Sequence, residues 1–126
     1  MKAEIEVEKV LDTIRGCWSR ETSITPLLWT KENPDVGQSI PTSLLARDIF
    51  GGELYTTMIH ERDNIYPHCF VVSYDIIIDM CRESYGTWAK MTFPDAVTPD
   101  FVLDNKDVKK AYEVLRKNFV EKYQNG

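Results

Sequence analysis

Three side chains in the middle of the sequence have the types needed for a proton relay: Ser39, His68 and Asp79. A hydroxyl becomes a nucleophile when a neighbouring imidazole takes its proton. A carboxylate behind the imidazole fixes its tautomer and supports the imidazolium. Ser39 follows Gly37-Gln38 at the start of a helix-like run, where backbone N–H groups and the helix dipole favour developing negative charge. Gln38 and Trp29, just upstream, are candidate substrate contacts. Whether His68 reaches Asp79 depends on strand register. A two-residue loop at Tyr74-Asp75 pairs Ser73 with Ile76, which sets His68 opposite Cys81 and Phe70 opposite Asp79. His68 and Asp79 are then diagonal neighbours on one face, about 7–8 Å apart, a gap that imidazole and carboxylate together span. A three-residue loop would reverse the faces.

The elements that must hold these residues follow from periodicity. Val7, Val10, Leu11, Ile14 and Trp18 recur at helical spacing among charged residues, so an amphipathic helix opens the chain. From Ser19 to Gln38 the periodicity stops and turn formers accumulate; a loop of that length inside a compact domain is often functional. Trp29 is expected to pin it to the body of the protein. A short helix is predicted over Ile40–Phe50, with Pro41 tolerated in its first turn, Leu44, Leu45 and Ile49 buried, and Gly51-Gly52 as its stop. Strands are predicted over Leu54–Ile59, Tyr66–Ser73 and Ile76–Met80. Between Arg82 and Asp100 the pattern is mixed, with Trp88 and Phe93 expected to be buried. Asp104 is the predicted cap of a last helix, whose stripe is Val108, Ala111, Tyr112, Leu115, Phe119 and Val120. Helices, strands and a helix in that order imply an α+β domain with helices packed on a small antiparallel sheet.

Composition narrows the function classes. A chain of 126 residues is one domain, spanning 1–126. With 15 Lys+Arg against 20 Asp+Glu the net charge is −5, which lacks the footprint of a nucleic-acid binder. No apolar run is long enough for a membrane span, and the acidic N-terminus does not read as a signal peptide. The 3 cysteines cannot all pair internally, so free thiols and a cytoplasmic location are expected. Neither Cys-x-x-Cys nor His-x-x-x-His occurs, so no metal and no cofactor is expected.

Each candidate also has an ordinary reading. Serine is a common helix cap, a histidine on an alternating strand is commonly a satisfied buried residue, and Asp79 can mark the end of Ile76-Ile77-Ile78. Cys69 lies on the opposite sheet face from His68, whereas Cys81 shares its face and is the substitute nucleophile to suspect. The lysines of the last helix alternate with Glu113, Glu121 and Asp107, as on a solvated face.

Cys17-Trp18-Ser19-Arg20-Glu21-Thr22-Ser23, then Trp29-Thr30-Lys31-Glu32-Asn33-Pro34, then Gly37-Gln38-Ser39 resemble the YunG-like family of small bacterial proteins. Thr42, Leu44, Asp48, Gly51-Gly52-Glu53, His68 and Asp79 continue the pattern in order, so the resemblance runs from Trp18 to Met80. Members typically carry Gly-Gln-Cys where this chain has Gly37-Gln38-Ser39, similar to the active-site start of papain-like and transglutaminase-like cysteine enzymes. The resemblance implies that fold, with Ser39 at the nucleophile position, His68 as general base and Asp79 as orienter. It implies a cysteine-hydrolase-like domain for amide or thioester cleavage or transfer, acting on a protein or peptide. Two departures stand out: Ser39 replaces the cysteine, and Cys69-Phe70-Val71 replaces the usual run after the histidine. A serine hydroxyl is far less acidic than a thiol. Residue 39 therefore reads as an inactivated Cys-to-Ser form, a degenerate relative, or a working serine enzyme. The alternative function is a non-catalytic binding protein that holds a protein or peptide partner in the same cleft, using the Trp29–Gln38 loop.

Overall fold

Local signals set most of the elements. The computed structural model describes residues 2–81 and 89–125; Trp88 lies outside them. Helix α1 runs Lys2–Gly16 and a 3₁₀ turn covers Arg20–Thr22. Helix α2 is Ser39–Phe50, and strands β1 and β2 are Glu53–Glu61 and Asn64–Ser73. Strands β3, β4 and β5 are Ile76–Ile78, Lys90–Met91 and Asp95–Val97, followed by α3, Pro99–Leu103, and α4, Lys106–Asn125. All strand pairings are antiparallel, in the order β3-β2-β1-β4, with β5 sharing the β4 edge of β1. The architecture is α+β.

Helix α2 is the centre of the molecule. Its first eight residues, Ser39 to Ala46, are all buried, as a helix packed on several sides must be. Ile40, Leu44 and Ala46 meet Leu54, Cys69 and Val71 of the sheet and Val108 of α4. Leu45 on another side joins Val10, Ile14 and Cys17 with Leu115 and Phe119. α2 thus lies between the sheet and the helical layer of α1 and α4. Gly51 ends it in the left-handed region (φ 74°), its N–H returning to Arg47 O at 2.8 Å.

The β2–β3 hairpin has the register expected from a two-residue loop: Ser73 pairs with Ile76, Val72 with Ile77 and Val71 with Ile78. Tyr74 and Asp75 both take positive φ, the conformation whose twist matches a tight hairpin. β3 stops at Ile78, so Asp79 and Met80 lie beyond the strand.

Other expectations are corrected. Trp18 follows α1 and donates its indole N–H to Thr42 Oγ1 at 2.9 Å, while Val7 is exposed. Ile49 and Val120 are exposed because their helix faces turn away from the neighbouring layers. Phe93 is 96% exposed: it sits in the link between β4 and β5, which is held to the sheet by main-chain and threonine contacts at Thr92 instead. The cap of α4 is Asn105, whose Oδ1 accepts from Asp107 and Val108 N–H; Asp104 instead closes α3.

Candidate active site

The termination of β3 creates the site. Alternate residues of a strand aim N–H and C=O at the same neighbour, so after Ser73 and Val71 the next main-chain groups facing β3 are those of Cys69. β3 has already ended there. The vacant ladder position is filled by a side chain from α2: Ser39 Oγ accepts from Cys69 N–H at 2.7 Å and lies 3.0 Å from Cys69 O. Ser39 is the first residue of α2, after Gln38 at the N-cap, and its side chain does not cap the helix.

His68 reaches the same oxygen around the strand edge. Its Nδ1 lies 3.0 Å from Ser39 Oγ, and its Nε2 lies 2.8 Å from both Asp79 oxygens. A carboxylate only accepts, so Nε2 carries a proton, and in the neutral ring that leaves Nδ1 as the acceptor toward Ser39. Ser39 has one proton and two acceptors for it, Cys69 O and His68 Nδ1. The ring is buried, and Asp79 beneath it is 11% exposed. The two ring nitrogens are used in the opposite order from the Ser-His-Asp arrangement of serine proteases.

Gln38 is turned into the protein. It is 0% exposed; Nε2 donates to Ser19 O at 2.9 Å and Oε1 accepts from Thr22 Oγ1 at 2.7 Å. The side chain ties the two ends of the 19–38 loop together behind the site. Trp29 is engaged within the loop: its indole N–H donates to Pro34 O at 2.9 Å and the Arg20 guanidinium covers its ring. Trp29 thus folds the loop onto itself and does not pin it to the body.

The loop does wall a cavity of about 300 Å³ that reaches Ser39. Ile24, Leu28 and Val36 form the loop side, Ser39 and Ile40 the floor, and Tyr66 and Pro67 the side from β2. Asp35 and Glu61 also line it. No single-residue signal in the sequence marks Asp35, Glu61 or Tyr66 as neighbours of Ser39, because loop and hairpin are brought together only by the fold. Gly37 permits the loop's close return: it takes φ 74°, and its carbonyl accepts from Ile24 N–H at 2.9 Å.

The three thiols are poor nucleophiles where they stand. Burial, reinforced by the Asp79 carboxylate, pushes the Cys69 thiol up to about 12. Burial, then Asp35 and Asp79, pushes Cys81 up further still, so it remains a thiol at neutral pH and does not replace residue 39. Burial also raises Cys17. Among the described residues no three His, Cys, Asp or Glu side chains cluster as a metal site, and no helix is long and apolar enough to cross a membrane.

No solved structure matches the chain. The protein named "Uncharacterized protein YunG" from Bacillus subtilis (strain 168) is 35% identical over 69 residues. That match covers 55% of this chain and 57% of the relative's length, so the alignment spans a little over half of each. The family model described as "YunG protein" matches residues 6–124, nearly the whole sequence. The chain belongs to the YunG family.

Proposed function

We propose that this chain has the scaffold of a small acyl-transfer enzyme, papain-like or transglutaminase-like in its arrangement, with residue 39 as the acyl carrier. One observation carries the reading: Ser39 Oγ, His68 and Asp79 form a continuous hydrogen-bonded line with steps of 3.0 and 2.8 Å. In the reaction the residue-39 heteroatom attacks an amide or thioester carbonyl while its proton passes to His68 Nδ1. Asp79 supports the imidazolium through Nε2. The first N–H groups of α2 have no acceptor within the helix and face developing negative charge on the carbonyl oxygen. His68 then gives the proton to the leaving amine or thiol, and water or an acceptor amine releases the acyl group. A thiol at residue 39 is the better nucleophile for this machinery. The test is Ser39→Cys treated with iodoacetamide. Selective alkylation at residue 39 that falls when His68 is replaced supports the reading; no reactivity above that of an unfolded thiol, with the fold intact, overturns it.

A second reading has its own observation. Ser39 Oγ also meets both main-chain groups of Cys69, a bidentate role that suits a neutral hydroxyl and not a thiolate, which cannot donate to Cys69 O. On that reading the chain is a non-catalytic binding protein whose cleft, walled by the 19–38 loop, holds a protein or peptide partner.

A further inference from the structure

We propose that the cavity beside Ser39 is a seat for one apolar side chain of a peptide or acyl substrate. This rests on the acyl-transfer reading for the word substrate, but the seat itself can be measured without any chemistry. At about 300 Å³ the space is at the small end of ligand pockets, which run from about 300 to 1,000 Å³. It holds a single group next to the reacting carbonyl and not an extended ligand. Its composition selects the kind of group. Ile24, Leu28, Val36, Ile40, Tyr66 and Pro67 present hydrocarbon from three directions: loop, helix and hairpin. Burying a Leu- or Phe-sized side chain against such walls is favourable by the ordinary area-dependent term. An anionic group finds no basic side chain among the described lining residues and meets Asp35 and Glu61 there. Leu28 lines the cavity and is 67% exposed, so part of this wall is open to the ligand. The neighbouring Leu27 is 93% exposed and is not part of the lining.

The experiment uses the full chain with Ser39 in place and reads binding of N-acetyl-leucinamide, N-acetyl-phenylalaninamide, N-acetylglycinamide and N-acetylglutamate amide by ligand-observed NMR. Leucine and phenylalanine amides are expected to bind at least about tenfold more tightly than the glycine and glutamate amides, the scale of discrimination available to an apolar pocket. Leu28→Glu is expected to remove that preference and Leu27→Glu to leave it. Because both leucines are exposed, neither change threatens the fold. Equal binding across the panel, or a preference that survives Leu28→Glu, overturns the proposal. The Ser39→Cys chain extends the same comparison to rate, with acetyl-leucyl and acetyl-glycyl chloromethyl ketones expected to label residue 39 at rates in the same ratio. A seat that discriminates in the binding assay while Ser39→Cys ignores iodoacetamide keeps this inference and removes the acyl-transfer reading. The reverse pattern does the opposite.

Discussion

Ser39 occupies the position in the β2 ladder that β3 leaves empty at Cys69, so one hydroxyl both completes a sheet edge and faces an imidazole. The same oxygen is thus a structural group and the head of the relay. The two roles respond differently to substitution. Ser39→Ala removes the partner of a buried N–H and a buried C=O, each of which costs about 1–3 kcal/mol when left unpaired. We expect a loss of about 2–6 kcal/mol for the two groups together, read as a lower urea midpoint at unchanged slope. Ser39→Cys keeps a weak donor and acceptor at the position and is expected to lose less. Equal stability of Ser39→Ala and the parent would remove the structural role.

Asp79 determines which nitrogen of His68 bears the proton, so its loss is felt at Ser39 without any contact between the two residues. Asp79→Ala leaves His68 Nε2 buried without its charged acceptor; hydrogen bonds to charged groups are worth about 1.5–3 kcal/mol. We expect destabilisation of that size. In the Ser39→Cys background we also expect a drop in alkylation rate at residue 39, followed by mass spectrometry. Asp79→Asn, which retains an acceptor oxygen, should recover most of the stability and less of the rate.

How far these arrangements can be seen in the sequence depends on the distance over which each is determined. The hairpin at Tyr74-Asp75 is a local matter, and its two-residue loop forces the Ser73–Ile76 pair and every pair after it. The start and stop of α2 are local too, written in Ser39-Ile40-Pro41 and Gly51-Gly52. Gln38 is different. Its glutamine type and its place beside Ser39 suit a substrate contact as well as a strut, and only the return of Ser19 and Thr22 to its amide decides for the strut. Phe93 misleads for the opposite reason: its bulk predicts burial, but the short strands on either side direct it outward. Asn105 rather than Asp104 caps α4 because the intervening α3 consumes Asp104 as its own end, and nothing in the periodicity separates a five-residue helix from a loop.

The glutamine strut makes its own prediction. Gln38→Ala removes one donor from the Ser19 carbonyl and one acceptor from the Thr22 hydroxyl at the base of the 19–38 loop, leaving only the contacts these two residues make with each other. We expect a loss of about 2 kcal/mol for two broken buried bonds, together with faster cleavage inside the loop under limited proteolysis. Unchanged cleavage with lowered stability would show that the loop is held elsewhere.

The buried thiols are expected to weaken the fold at alkaline pH. Cys69 rises from 9.0 to about 12 through burial and then Asp79, and Cys81 rises in the same direction. A group whose pKa is higher in the folded state keeps its proton there while the unfolded chain gives it up. Its contribution is complete below pH 9 and fades as pH climbs toward 12. The urea midpoint is therefore expected to fall between pH 9 and 10.5, and Cys69→Ala to flatten that fall. At pH 8 the folded chain should resist iodoacetamide at all three cysteines, which also provides the silent background needed for alkylation at residue 39.

Gly37 and Gly51 share a φ of 74° but not an environment, which separates backbone strain from crowding. A Cβ on Gly37 would come within 2.2 Å of Ser23 Oγ and 2.6 Å of Thr25 Oγ1, whereas one on Gly51 would meet nothing within 4 Å. Both alanine substitutions incur the cost of a positive φ on a residue with a Cβ, about 1–3 kcal/mol. Only Gly37→Ala must also displace the Ser23 hydroxyl from Val36 O, a 2.8 Å bond that holds the cavity wall. Gly51→Ala should therefore lower stability while N-acetyl-leucinamide binding stays as it was. Gly37→Ala should lower stability further and weaken that binding, because Val36 and Gly37 line the seat. If the two variants bind the amide equally well, the loop wall contributes nothing to the cavity and Ile40, Tyr66 and Pro67 must hold the ligand without it.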